Sequence, residues 1–505
     1  MTDKHQEIYQ QLCDQAREAQ LVETIGHLLD WDERTQLPAA AGAYRADQIA
    51  YVAGLYHQKQ TDSRVGQWLA ELADNSLATD PHSDSGAVIR LLQRDFDKKT
   101  RLPQALVEEL ARTSVLGQQT WVIARRDNDF ASFRPHLEKI IGLKRQEAAA
   151  LGYDETPYEP LLDDFEPGEV TANVAGVLGA LRDALVPLVQ AIKASSRRPD
   201  VAILAREYPL DVQEAFGRKI AAALGFDFQG GRLDRSVHPF CTGLGPGDVR
   251  LTTRYNLCDF GDAFYSILHE AGHGIYDQSL PREHFGLPIG KDVSMGIHES
   301  QSRMWENEVA RSRPFWEHVF PQAQAAFPAA LAEVGVGDFY AAVNEVRPSL
   351  IRVDADEVTY NLHILIRFEL ELALIEDRLQ VADLPGAWND KHEHYLGITP
   401  PNDTEGVLQD IHWSAALFGY FPTYALGNLY AAQFFAQARK DLGDLDGQFR
   451  RGEFSSLREW LRTNIHQHGR RYSPAELAER ITGEPLSHRA LIEHLSAKYG
   501  ELYGL

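Results

Sequence analysis

The run His269-Glu270-Ala271-Gly272-His273 restricts this chain more than any other stretch. Two histidines four positions apart share one face of a helix, so their imidazoles can converge on one cation while the glutamate between them projects alongside. A helix is therefore required here. The local sequence agrees: Gly261 and Asp262 supply a start signal, and Ala263, Phe264, Ile267 and Leu268 are apolar at helical spacing. This is the pattern of a zinc hydrolase, with His269 and His273 as metal ligands and Glu270 as general base.

A catalytic zinc needs three protein ligands and one open position for water. The metzincin pattern would require glycine and histidine where this chain has Tyr276 and Ser279, so it is excluded. Glu299, in the stretch Gly296 to Arg303, is the third-ligand candidate, as in zincins that take a glutamate from a following helix. Its neighbour His298 cannot replace it, because adjacent helical residues diverge by ~100°, but it can orient it. Asp277 lies one turn beyond His273 on the same face and is expected to accept a hydrogen bond from that imidazole, fixing its tautomer.

Composition narrows the partners. The formal net charge of −23 argues against nucleic acid and anionic membrane surfaces, both of which demand clustered Lys and Arg. The first residues, Met1 to Gln6, lack an apolar signal core, and no stretch approaches ~18 uninterrupted apolar residues, so a cytoplasmic protein is expected. Cys13, Cys241 and Cys258 are far apart and lack metal-type spacing, as reduced structural thiols would be. Cys258, just before the histidine helix, reads as a small buried residue.

The 505 residues are read as one helical body, 1–505, with an N-terminal helical part over 1–225 and a catalytic part over 226–505. A long amphipathic helix is expected from Asp3 to Leu29, closed before Pro38, with further helices to about Gly152. A proline-bearing connection follows over 153–168, then helices over 170–194 and 210–224. Between Phe226 and Asn256, glycines punctuate Arg232 to Phe240 and Val249 to Tyr255, which read as short antiparallel strands. Such a sheet edge beside the histidine helix can accept an extended peptide, although a plain structural hairpin fits the pattern equally. The stretch Glu357 to Leu379 is apolar around most of its circumference and is expected to be central, with His363 a core histidine.

Several stretches together resemble one family, the carboxypeptidase Taq metallocarboxypeptidases. They are His238-Pro239-Phe240, Asp248 to Thr252, His269 to His273, Gly296 to Arg303, Ile351 to Tyr360, Gly406 to Trp413, and the Trp31-Asp32 region with Pro38. Asp354, where the family often has glutamate, and Leu37, where it usually has methionine, depart from the pattern away from the expected chemistry. The resemblance implies a mainly α, saddle-shaped body with a long substrate groove and a small antiparallel sheet beside the histidine helix, akin to neurolysin-like zincins. It also implies a homodimer, a zinc cofactor with cobalt or manganese as alternative ions, and release of single C-terminal residues from peptides with broad preference.

For an oxyanion opposite the metal, the resemblance points to His412 and Tyr420 as donors. An exopeptidase must also hold a terminal carboxylate, which suits a guanidinium. Arg352 is the first candidate and Arg250 the second, although each has acids nearby in sequence with which it could simply pair. Two other functions remain open at this stage. An oligoendopeptidase or dipeptidyl enzyme would use the same metal site without the carboxylate clamp. A peptide-binding protein with structural zinc would have no use for Glu270, since structural sites are usually closed by a fourth protein ligand.

Overall fold

The computed structural model describes residues 2–505, with side chains from Lys4 onward. The first helix, Thr2–Thr35, runs 34 residues without a break, and Gly42–Gln60 folds back along it. No residue of Gly42–Gln60 is fully buried, so this second helix is peripheral. Helices Asp84–Arg101, Gln104–Asp127 and Phe130–Leu151 follow. Their ends obey local chemistry: Ser83 and Asp129 cap the following helices with their side chains, and Asn128 takes the left-handed conformation (φ 55°) that ends the preceding one.

Helix Thr171–Ala194 is long and apolar enough to suit a membrane by composition alone. Here it packs as a core helix: Val174, Leu178, Leu181, Leu185, Val189 and Ile192 form one buried stripe, and Arg182 on its surface pairs with Glu369 at 2.9 Å.

The sheet differs from the expected antiparallel hairpin. Strands β1 (Gly231–Arg235), β2 (Cys241–Gly245) and β3 (Asp248–Thr253) lie in the order β1-β3-β2, with β1 parallel to β3 and β2 antiparallel to it. The reason lies in the stretch read as one strand. After Arg235 the chain turns, the Ser236 hydroxyl donates to the His238 carbonyl at 2.6 Å, and Pro239 offers no N–H for a ladder. The chain therefore leaves β1 and returns on the far side of β3. Cys258 is a second correction: it sits in the turn before the histidine helix and is exposed.

The sheet rests on helix Phe260–Ser279 at Gly274, where an added Cβ would stand 2.5 Å from the Phe226 ring and 2.9 Å from Leu251. That helix begins at Asp259, whose carboxylate accepts from the N–H groups of Gly261 and Asp262 at 2.8 and 3.1 Å. Its first turn is anchored by Phe260 and Phe264 among Phe216, Trp316, Phe327 and Phe339, in edge-on and stacked contacts. Helix Met295–Arg303 lies beside it, capped by Ser294, and continues as a π-helix over Met304–Val309. Helix Pro422–Leu442 closes over both segments.

The C-terminal helix Arg489–Tyr503 is tied to the π-segment by charge. His494 bridges Glu308 (2.8 Å) and Glu357 (2.9 Å), and Lys498 and Tyr499 also donate to Glu357. Burial opposes the imidazolium, yet the two carboxylates carry His494 up to about 9. Its folded pKa therefore exceeds the unfolded ~6.5, and the stabilisation it gives is full below that value and lost as pH rises through about 9. Unfolding free energies of the wild type and His494→Gln, measured across this window, should converge at the alkaline end. A constant gap would show that His494 is not the titrating group.

Candidate functional site

The three expected ligands come together. His269 Nε2 and His273 Nε2 stand 3.6 and 3.5 Å from Glu299 Oε2, and the three donor atoms lie within 4.8 Å of one another. Ligand atoms held at about 2.0–2.2 Å around a tetrahedral ion are themselves roughly 3.3–3.6 Å apart, so both histidine–glutamate separations match those of a divalent metal site. Glycines permit this geometry. At Gly272, inside the histidine run, a Cβ would meet Ser302 Cα at 2.6 Å and the Gln301 carbonyl oxygen at 2.7 Å. At Gly427 a Cβ would meet Glu299 Cγ at 2.5 Å and its Cβ at 2.7 Å. The Glu299 helix is thus clasped between two helices that touch it backbone to backbone.

The charges around the ligands are arranged by named partners. Glu306, in the π-helix, faces His269 Nδ1 at 2.9 Å; as acceptor it leaves Nε2 with its lone pair toward the metal position. Arg303 donates to Glu299 Oε1 (2.7 Å) and to Glu306 Oε2 (3.2 Å), with its guanidinium 4.3 Å from the Tyr360 ring. Burial works against the Glu299 charge, yet Arg303 and His269 hold its carboxyl well below the usual range. Glu270 is buried and lacks such a cation, and burial pushes its carboxyl up to about 7, despite His269.

Asp277 does not do what its spacing predicts. It faces His298 Nε2 at 3.1 Å, and the His298 ring stacks on His273 at 4.2 Å, while His273 Nδ1 has no partner. His298, arriving from the neighbouring helix, takes the bond that helical spacing alone assigns to His273. Burial disfavours its charge, but the Asp277 hydrogen bond carries His298 up to about 9.

A second cluster adjoins the first. The expected donor His412 has Nε2 3.3 Å from the Tyr424 hydroxyl, and its ring lies 5.5 Å from that of Tyr420. Burial lowers His412 to about 4, so at neutral pH it is an uncharged imidazole. Burial likewise raises the Tyr420 hydroxyl, and the nearby Glu299 charge adds to that rise.

Arg352 donates to Asp410 Oδ1 at 2.9 Å and to the Tyr360 hydroxyl at 3.3 Å; its partner is thus neither Asp354 nor Asp356. Asp410 also accepts from the fully buried Arg367 at 2.6 Å. Two guanidiniums share one carboxylate beside a neutral imidazole, which leaves this buried cluster with a surplus positive charge. Arg250 lies elsewhere, on β3, its fork filled by Asp248 (2.9 Å) and its plane 4.2 Å from the Trp31 ring. It does not join the His412 and Arg352 group.

Residues that sequence reasoning missed are Arg303, Glu306, Tyr424, Asp410 and Arg367. Arg303 and Glu306 carried a signal, standing four and seven positions after Glu299, and Tyr424 stands four after Tyr420. The pairing of Arg352 and Arg367 through Asp410 has none, since it is made across long sequence distances.

Gly427→Ala tests the clasp. Alanine is the better helix former by about 1 kcal/mol, so any harm must come from the Cβ displacing Glu299. Affinity for a divalent metal, measured by competition with a chelator, should fall about 10- to 100-fold while helical content is kept. Unchanged affinity would mean that Glu299 is not a ligand or that the helices part freely.

Comparison with known proteins agrees with this geometry. The family model for the carboxypeptidase Taq (M32) metallopeptidase matches residues 11–499. The chain is 44% identical to thermostable carboxypeptidase 1 of Thermus thermophilus over 506 aligned positions, covering 98% of this chain and 99% of that one. It is 39% identical to carboxypeptidase 1 of Bacillus subtilis, covering 94% and 95%. The crystal structure of an M32 carboxypeptidase from Deinococcus radiodurans superposes with a TM-score of 0.96 at 41% identity, over 99% of this chain and 100% of that one. The chain belongs to the carboxypeptidase Taq (M32) metallopeptidase family and is a metallocarboxypeptidase.

Proposed function

We propose that this enzyme is zinc-dependent and removes single residues, with broad preference, from the C-terminus of peptides, acting as a cytoplasmic homodimer. The observation that carries the exopeptidase reading is the surplus positive charge of Arg352 and Arg367 around Asp410, buried next to the His269, His273 and Glu299 set. A buried cluster with an uncompensated cation favours an anionic ligand, and a terminal carboxylate is the anion that every peptide of this class carries. The thermostable carboxypeptidase 1 and carboxypeptidase 1 relatives support peptides as substrates.

In this reading His269, His273 and Glu299 hold the cation, with cobalt or manganese as alternatives to zinc. When bound, the metal supplies a Lewis acid and lowers the pKa of water from about 15.7 toward 7. Glu270, whose carboxyl stands at about 7, accepts the proton of the attacking water. As the C–N bond breaks, Glu270 returns that proton to the leaving nitrogen. Neutral His412, with Tyr420 and Tyr424, offers N–H and O–H donors to the oxygen on which charge develops. Arg352 holds the terminal carboxylate, and Arg367 keeps Asp410 turned toward it. Glu306 fixes the His269 tautomer, while Asp277 acts through His298.

Mass spectrometry of a mixed peptide set tests the reading, using metal-loaded protein, chelated protein and Glu270→Gln. Stepwise loss of single C-terminal residues is expected from the first, none from the second, and a rate lower by about 10²- to 10⁴-fold from the variant. Internal cuts would instead identify an oligoendopeptidase on the same scaffold. Arg352→Met should lower kcat/KM on free-acid peptides about 10²-fold, with little change on amidated analogues. If the variant keeps the wild-type preference for a free C-terminus, the carboxylate is held elsewhere.

A further inference from the structure

A cavity of about 620 Å³ lies between the outer helices and the start of the Glu299 helix. Its walls come chiefly from helices Thr2–Thr35, Gly42–Gln60, Asp84–Arg101 and Phe130–Leu151, from the 164–167 and 286–294 stretches, and from Met295 and Arg470; none of the residues assigned above to the metal or the carboxylate clamp lines it. It is nevertheless joined to the catalytic site in two ways. Phe165 lines it and packs edge-on against the Tyr420 ring at 5.0 Å. Ser294 and Met295 line it and open the helix that carries His298 and Glu299.

Most cations in these walls are neutralised. Lys59 pairs with Glu18 (2.7 Å), Lys291 with Glu23 (2.8 Å), and Arg94 and Lys98 both with Asp163 (2.7 Å). Lys99 and Arg470 differ, having no carboxylate at ion-pair distance among the described residues. The Lys99 ammonium donates to the Gln60 side-chain oxygen and lies 5.6 Å from the Tyr56 ring, and Arg470 Nε donates to the Asp292 carbonyl at 3.0 Å. Half-buried in the wall, Lys99 has its pKa lowered by desolvation, although Asp95 and Glu23 act the other way. An ammonium that has lost water and whose hydrogen-bond partner is neutral is stabilised by an incoming anion at contact distance.

We propose that this cavity is a second ligand site, taking an organic carboxylate with an apolar body whose charged end is held by Lys99 and Arg470. The volume falls in the range of roughly 300–1,000 Å³ that small-molecule sites occupy. Apolar side chains such as Leu92, Phe96, Leu102 and Phe165 line part of the cavity, alongside Asp292 and the acids Glu23, Asp95, Glu147 and Asp164, which are paired with Lys291, Arg94, Lys144 and Lys98. The carboxylate has two possible sources: an acidic side chain of a peptide whose C-terminal end occupies the catalytic site, or a free carboxylate bound independently.

Octanoate binding to the full-length metal-loaded protein, followed by calorimetry, tests the site without reference to peptide cleavage. It is therefore unaffected if the proposed peptidase specificity fails. Octanoate should bind, about tenfold more weakly to Lys99→Met and almost normally to Lys99→Arg, with melting temperatures confirming that both variants fold. In parallel, kcat and KM are compared for matched peptides carrying Glu or Gln at successive positions upstream of the C-terminal residue. A lower KM for Glu at unchanged kcat, abolished in Lys99→Met, identifies the peptide as the source. Lys99-dependent octanoate binding with equal Glu and Gln constants identifies a free carboxylate. Octanoate affinity that is absent or indifferent to Lys99, together with equal peptide constants, overturns the proposal.

Discussion

The catalytic arrangement depends on how closely three helices can approach. Helix Met295–Arg303 lies between helices Phe260–Ser279 and Pro422–Leu442, and at both contacts the facing residue is a glycine, Gly272 on one side and Gly427 on the other. Side chains at those positions would push the helices apart by a substantial fraction of an interhelical spacing of 8–10 Å. With hydrogen in their place, one carboxylate oxygen of Glu299 is brought level with two imidazole nitrogens carried by a different helix. The metal set is thus a product of backbone proximity.

Electrostatics then decides what each group does within that frame. Three glutamates, Glu270, Glu299 and Glu306, are buried close together, and their roles are separated by where Arg303 sits. Arg303 pairs with Glu299 and Glu306 and keeps both carboxyls ionised, the second facing the His269 imidazole. Glu270 has no guanidinium to offset its burial, which lifts its carboxyl to about 7, where it can both take and give a proton. The same logic recurs at Asp410, where one carboxylate serves two arginines and cannot satisfy both.

Much of this was legible in the sequence, and its failures have a common cause. Histidines at helical spacing, the following glutamate and the apolar helices are signals written within one element, and the structure contains each of them. Asp277 was on the correct face of the correct helix, but whether its acceptor meets His273 or a neighbour depends on His298, which arrives from another helix. The sheet was misjudged because strand propensity marks strands without saying which edge each will take. Glu306 shares a helical face with Glu299, yet lies where the α-helix widens into a π-helix, a change that no residue there announces. Arg352, Arg367 and Asp410 meet only through the tertiary fold.

The outermost helix, Gly42–Gln60, contributes nothing to the core, though it carries Tyr56, Lys59 and Gln60 into the cavity wall. Its backbone hydrogen bonds are defended by little buried apolar surface, so separating it from the first helix costs far less than unfolding the body. The molecule therefore has two tiers of stability. From this burial, amides of the histidine helix should exchange with solvent only on global opening, and those of Gly42–Gln60 through a small local event. The compartment walled by that helix would therefore open with the weaker tier while His269, His273 and Glu299 stay in place.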